Sequence, residues 1–246
     1  MPTLWLGVRA AALYAGVLSL GTLLVFRVGE PPVDVPDVLA ELLPVQCVAV
    51  VLCVFFALRS GGWRKVGFGR IDLPGLIWFL PAWWVLGLLF GAVFFSGSAT
   101  ALNDLGTATW AFLLLAPLFV AFGEEIMFRG ILLRGALAEL PVAYALLLST
   151  VGFAALHFVN GISGQTVAGT VQQVGFALIV GFALAPLAIR IGSLWPLILW
   201  HWLWNVAVFA SQIAGLIHPF VLIGMSIQAA VSIWLWAALI RGDIRP

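Results

Sequence analysis

The chain has 246 residues, 63% of them apolar and only 9% charged, with a net charge of +1. Soluble domains carry about 45–50% apolar and about 25% charged residues, so this chain lacks the charge to cover a surface facing water. The solvent for most of it is lipid, and a nucleic-acid partner is not expected.

A spanning helix needs roughly 20 mostly apolar residues. Runs that meet this criterion fall near 4–28, 38–58, 73–95, 110–128, 141–158, 171–189, 194–212 and 219–240. The expected fold is therefore all-α: a polytopic bundle of about eight transmembrane helices forming one membrane domain over 1–246. The polar stretches 29–41 and 59–72 are too short to fold alone.

The first run has one early basic residue, Arg9, and no small-residue cleavage site, so a retained span is expected. On the second, Cys47 and Cys53 lie six apart, about 9 Å along a helix axis, too far to bridge. They read as packing residues. The first three runs bear no ionisable residue deep in the apolar stretch, and residues 1–100 are expected to be scaffold. Small-residue spacings such as Gly87 and Gly91, or Ala177 and Gly181, allow close helix approach. Trp5, Trp63, Trp110 and Trp195 fall near run ends, as interfacial belts do.

The charges are placed asymmetrically. Arg9, Arg59, Arg64, Lys65, Arg70, Arg129, Arg134, Arg190, Arg241 and Arg245 fall on one side of an eight-span zigzag, and Arg27 alone on the other. The opposite segments carry Glu30, Asp34, Asp37, Glu41 and Asp104. By the positive-inside rule, both termini are cytoplasmic.

The residues that carry chemistry begin at the end of the fourth run, and the core is expected over 110–210. An ionised group at bilayer depth costs at least about 2.5–3.5 kcal/mol on insertion scales, which makes function its default reading. In Gly123-Glu124-Glu125-Ile126-Met127-Phe128-Arg129, Glu125 and Arg129 share a helical face and suit an ion pair. Glu124 points about 100° away and is left available as a base. On the fifth run, Phe153 precedes His157 by four residues. If runs four and five form a hairpin turning at Leu140-Pro141, Glu124 and His157 lie level, each roughly 24 Å from the turn. On the seventh run, His201 and Asn205 are one turn apart on a single face. His201 is roughly 12 Å from the cytoplasmic start of that run, a depth that suits a site reached from the cytoplasm.

Together these groups suit hydrolysis of a peptide bond in a peptide or protein substrate. Glu124 with His157 would hold and deprotonate a water, and His201 with Asn205 would donate to the oxyanion. No Ser or Cys has a compelling position as nucleophile. A zinc site on Glu124, His157 and His201 is the competing arrangement, although the helical His-Glu-x-x-His signature is missing. A non-catalytic immunity or scaffold protein using the same site for peptide binding is a second class. A transporter is a third, disfavoured by the absence of internal repeats.

These residues resemble the CAAX proteases and bacteriocin-processing enzymes, the Abi or CPBP family, similar to the prenyl-protein endopeptidase. Its first motif matches Glu124, Glu125 and Arg129, its second Phe153 and His157, and its third His201 and Asn205. The resemblance implies an intramembrane, metal-independent glutamate endopeptidase with no cofactor and a site open to the cytosol. It further implies a supporting role for Glu125, Arg129 and Phe153. The Arg-over-Lys, Ala- and Trp-rich usage points to a prokaryotic plasma membrane, which argues against a prenylated substrate. Gln172 and Gln173 are read as capping or pairing residues, 160–164 as an uncharged turn dipping toward His157, and His218 as a loop residue.

Overall fold

The helix boundaries follow from local chemistry. In a computed structural model that describes residues 2–28, 34–95, 100–216 and 220–244, α1 (Leu4–Val28) is followed by α2 (Val35–Arg59). Asp34 caps α2 by accepting a hydrogen bond from the Asp37 amide at 3.0 Å, the usual satisfaction of an orphan N–H. After Ser60, Gly61 and Gly62 turn the chain at φ 95° and 92°, a region natural only to glycine. A 3-10 turn at Trp63–Val66 and another at Pro74–Phe79 lead into α3 (Leu80–Phe95) and a short α4 (Thr100–Asn103).

The fourth expected run, 110–128, is longer in the structure. Helix α5 (Thr107–Glu124) passes into a π-helical segment, Glu125–Leu132, and then α6 (Leu133–Glu139), forming one candidate span Thr107–Glu139. The charges that seemed to end it are absorbed inside the bundle. Helix α7 (Val142–Leu156) returns from the turn at Leu140-Pro141 and ends in a 3-10 turn, His157–Gly161. Then follow α8 (Val167–Ile191), α9 (Trp195–Ile213) and α10 (Phe220–Arg241). Glu30, His218, Pro219 and Arg245 lie outside the described residues, as does the side chain of Arg27.

Among the described residues, seven helical stretches are long and apolar enough to cross a membrane, and the chain is an integral multi-pass membrane protein. The seventh expected run, now α9, is not among them because His201, Asn205, Ser211 and Gln212 lower its hydropathy. His201 and Ser211 are buried while Gln212 is exposed; Trp200 Nε1 donates to Ala82 O at 3.0 Å inside the bundle and Trp202 Nε1 to Leu114 O at 2.8 Å at its exposed face. This internal bonding is what lipid-embedded helices require.

Glycine permits the closest helix crossings. A Cβ on Gly135 would stand 2.4 Å from the Thr3 carbonyl oxygen, so α1 lies directly on α6 there. One on Gly123 would stand 2.6 Å from the Tyr14 hydroxyl. At the arginine-bearing end, the 63–72 segment is stapled to the α8–α9 connection. Leu194 donates to Gly67 O at 2.9 Å and Asp72 to Ile191 O at 2.8 Å. Phe68 and Ser193 form a β-bridge, and Arg190 pairs with Asp72.

Candidate active site

The π-helical segment begins one residue after Glu124. Such widened turns concentrate at functional sites, and here one carbonyl of the turn, Phe128 O, accepts from Ser149 Oγ of α7 at 2.9 Å. All eight residues of the segment are buried. Arg129 and Glu125, both 0% exposed, are joined at 2.9 Å through Arg129 Nη1 and Glu125 Oε1, the pairing expected from their spacing.

Two further partners were not legible in that spacing. Phe153 of α7 stacks its ring under the guanidinium, 3.9 Å from centroid to Cζ, a cation–π contact strengthened by desolvation. From α9, 76 residues on, His201 Nδ1 lies 2.9 Å from the same Glu125 Oε1. A carboxylate only accepts, so Nδ1 carries the proton. His201 Nε2 then faces Glu124 Oε2 at 3.7 Å. Phe153 also meets the His157 and His201 rings edge-on at centroid distances of 5.0 and 6.0 Å.

His157 sits at the point where α7 tightens into the 3-10 turn. Its Nδ1 is 3.0 Å from Phe153 O. A carbonyl also only accepts, so Nδ1 holds the proton and Nε2 presents a lone pair.

Glu124, His157, His201 and Asn205 line one cavity of about 190 Å³. Its walls are completed by Leu18 and Thr22 of α1, and by Val38, Leu39, Leu42 and Gln46 of α2. Ala116, Val120, Asn160, Gln173 and Phe209 also contribute. Residues 1–100 therefore reach the site directly, as the sequence reading did not foresee. The signal available was Gln46, an amide within the second apolar run. Gln173 both pairs with its neighbour, accepting from Gln165 Nε2 at 3.0 Å, and lines the cavity, whereas Gln172 is exposed. Asn160, in the turn after His157, also faces the cavity.

The cavity lies on the side away from the arginine-rich loops. Val38 and Leu39 begin α2, Asn160 ends the α7 arm, Gln173 is near the start of α8 and Phe209 near the end of α9. Arg59, Lys65, Arg134, Arg190 and Arg241 all mark the other ends of these helices or of α10.

Among the described residues, no three His, Cys, Asp or Glu side chains converge as a metal-binding group. The family described as Rce1-like, type II CAAX prenyl endopeptidase, matches residues 106–207. That segment begins just before α5 and ends just past Asn205, so it holds every motif residue of the cavity. No curated protein and no solved structure matches the chain.

Proposed function

We propose that the chain, whose residues 106–207 match the Rce1-like, type II CAAX prenyl endopeptidase family, hydrolyses a peptide bond of a membrane-associated or prenylated-type peptide within the bilayer. One observation carries this reading: a carboxylate, two imidazoles and a carboxamide from three separate stretches of chain share a single small cavity.

Glu124 is the base. It takes a proton from a water held on its other side by the His157 Nε2 lone pair, and the hydroxide attacks the scissile carbonyl carbon. The proton then passes from Glu124 to the leaving amine. His201, held by Glu125 through Nδ1, and the Asn205 amide serve the oxyanion. Arg129 and Phe153 fix Glu125 and so the orientation of His201. Their role is positioning.

The zinc alternative differs in its test. Hydrolysis that survives exhaustive chelation excludes it, while loss restored by added Zn²⁺ would replace this mechanism. The non-catalytic alternative is met by Glu124→Gln. Reconstituted in nanodiscs with prenylated and unmodified peptides, this form is expected to lose hydrolysis by at least about a hundredfold, within the general-base range, while keeping its fold. Unchanged cleavage would remove Glu124 from its role.

The arginine-rich ends are cytoplasmic by the positive-inside rule, so we assign the end of the cavity lined by Val38, Asn160 and Gln173 to the non-cytoplasmic side. In protein lacking Cys47 and Cys53, an impermeant maleimide applied to intact cells is expected to label Gln165→Cys but not Lys65→Cys. The reverse pattern would invert the assignment.

A further inference from the structure

Helix α2 presents Leu39, Leu42 and Gln46 on one face, at the three- and four-residue steps that bring side chains into line. The apolar residues need no explanation in a membrane helix. Gln46 does. It is 9% exposed, its Oε1 is buried without any hydrogen-bond partner, and it lines the cavity that holds Glu124. A buried amide oxygen needs a hydrogen-bond donor, and a backbone N–H of a substrate would supply one.

The position of that donor follows from the helix. On the same side of α2, Cys53 Sγ is 3.5 Å from the carbonyl of Gly123, the residue before Glu124. Gln46 lies seven residues earlier, about 10 Å along the axis at 1.5 Å per residue. An extended peptide advances about 3.3–3.6 Å per residue, so 10 Å corresponds to about three residues of substrate. Val120 and Ala116, one and two turns before Glu124 on the neighbouring α5, line the cavity over the same length.

We propose that Gln46 is a substrate-binding residue, receiving a backbone N–H of an extended peptide about three residues from the bond under attack. A peptide offers both N–H and C=O, so the carboxamide binds it whichever way its oxygen and nitrogen are turned. Within the described lining, Glu124 and the two imidazoles are the ionisable groups and there is no Lys or Arg. The segment read there is accordingly uncharged. This assignment rests on the peptidase reading of the cavity, and it makes α1 and α2, outside the matched segment, the selecting wall.

The test uses a farnesylated Gly-Ser-Ser-Cys-Val-Ile-Ala peptide and its lipid-free counterpart, each N-methylated singly at every backbone nitrogen. Binding is measured by fluorescence polarisation to the full chain in nanodiscs, in the Glu124→Gln background. One nitrogen is expected whose methylation weakens binding about tenfold. The penalty should vanish in the additional Gln46→Leu variant and persist in Gln46→Glu, which keeps the acceptor. Methylation penalties identical with and without Gln46→Leu, or no binding of either peptide series, would overturn the assignment. A Gln46-dependent pattern in protein that shows no hydrolysis with Glu124 intact would instead sustain Gln46 and overturn the enzymatic reading alone.

Discussion

Replacing Arg129 tests the central cluster at its most buried point. The side chain is fully inaccessible, bonds Glu125 at 2.9 Å and lies over the Phe153 ring at 3.9 Å. Arg129→Leu removes the guanidinium and leaves the equally inaccessible Glu125 carboxylate facing only the His201 Nδ1–H. Breaking a buried pair in this way costs about 3–5 kcal/mol, chiefly through the charge left behind. Replacing both members by apolar residues is often close to neutral, so Arg129→Leu with Glu125→Leu should recover most of the loss. What remains is the unpaired His201 donor, about 1–3 kcal/mol. Equilibrium unfolding in mixed detergent and dodecyl sulfate micelles reads both variants against the parent. A single variant as stable as the parent, or a double variant losing the sum of two large penalties, would refute the description of Arg129 as the neutraliser of Glu125.

Other expectations follow from the packing. Gln228 bridges the junction between the Pro74–Phe79 turn and α3, accepting from Ala82 N at 3.1 Å and donating to Trp78 O at 2.9 Å. Gln228→Leu strands both backbone groups and should cost about 1–3 kcal/mol for each, seen as a fall in melting temperature. Gly135→Ala should loosen α1 and lower the melting temperature, because its Cβ meets the Thr3 carbonyl at 2.4 Å. Gly16→Ala, with nothing within 4 Å, should instead be neutral or stabilising by about 0.5–1 kcal/mol. Ser149→Ala should destabilise by about 1 kcal/mol through the lost bond to Phe128 O, with a matching drop in unfolding midpoint.

The sequence makes the spans legible because lipid demands long apolar runs, and it makes the Glu125–Arg129 pair legible because four-residue spacing aligns side chains on any helix. The shared level of Glu124 and His157 also follows from counting away from one turn. Counting along a single helix has no access to contacts between distant helices. The bond from His201 to Glu125 depends on how α9 packs, as does the Phe153 ring beneath Arg129. The π-helical turn at Glu125–Leu132 leaves no mark in propensity, since it is held from outside by Ser149 and its neighbours. Gln46 and Thr22 were visible as polar residues in apolar runs, yet attention to ionisable groups alone passes over them.

The staple between the 63–72 segment and the α8–α9 connection has a mechanical consequence. Three backbone links and an ion pair bind one end of the bundle together, whereas the cavity lies toward the other end. A bundle tied at one end parts like the jaws of a peg, with displacement growing with distance from the tie. A small displacement near Asp72 and Arg190 is thereby magnified in the gap between α2 and the α7 arm. The tie at the arginine-bearing end and the opening toward the far end are two aspects of one construction.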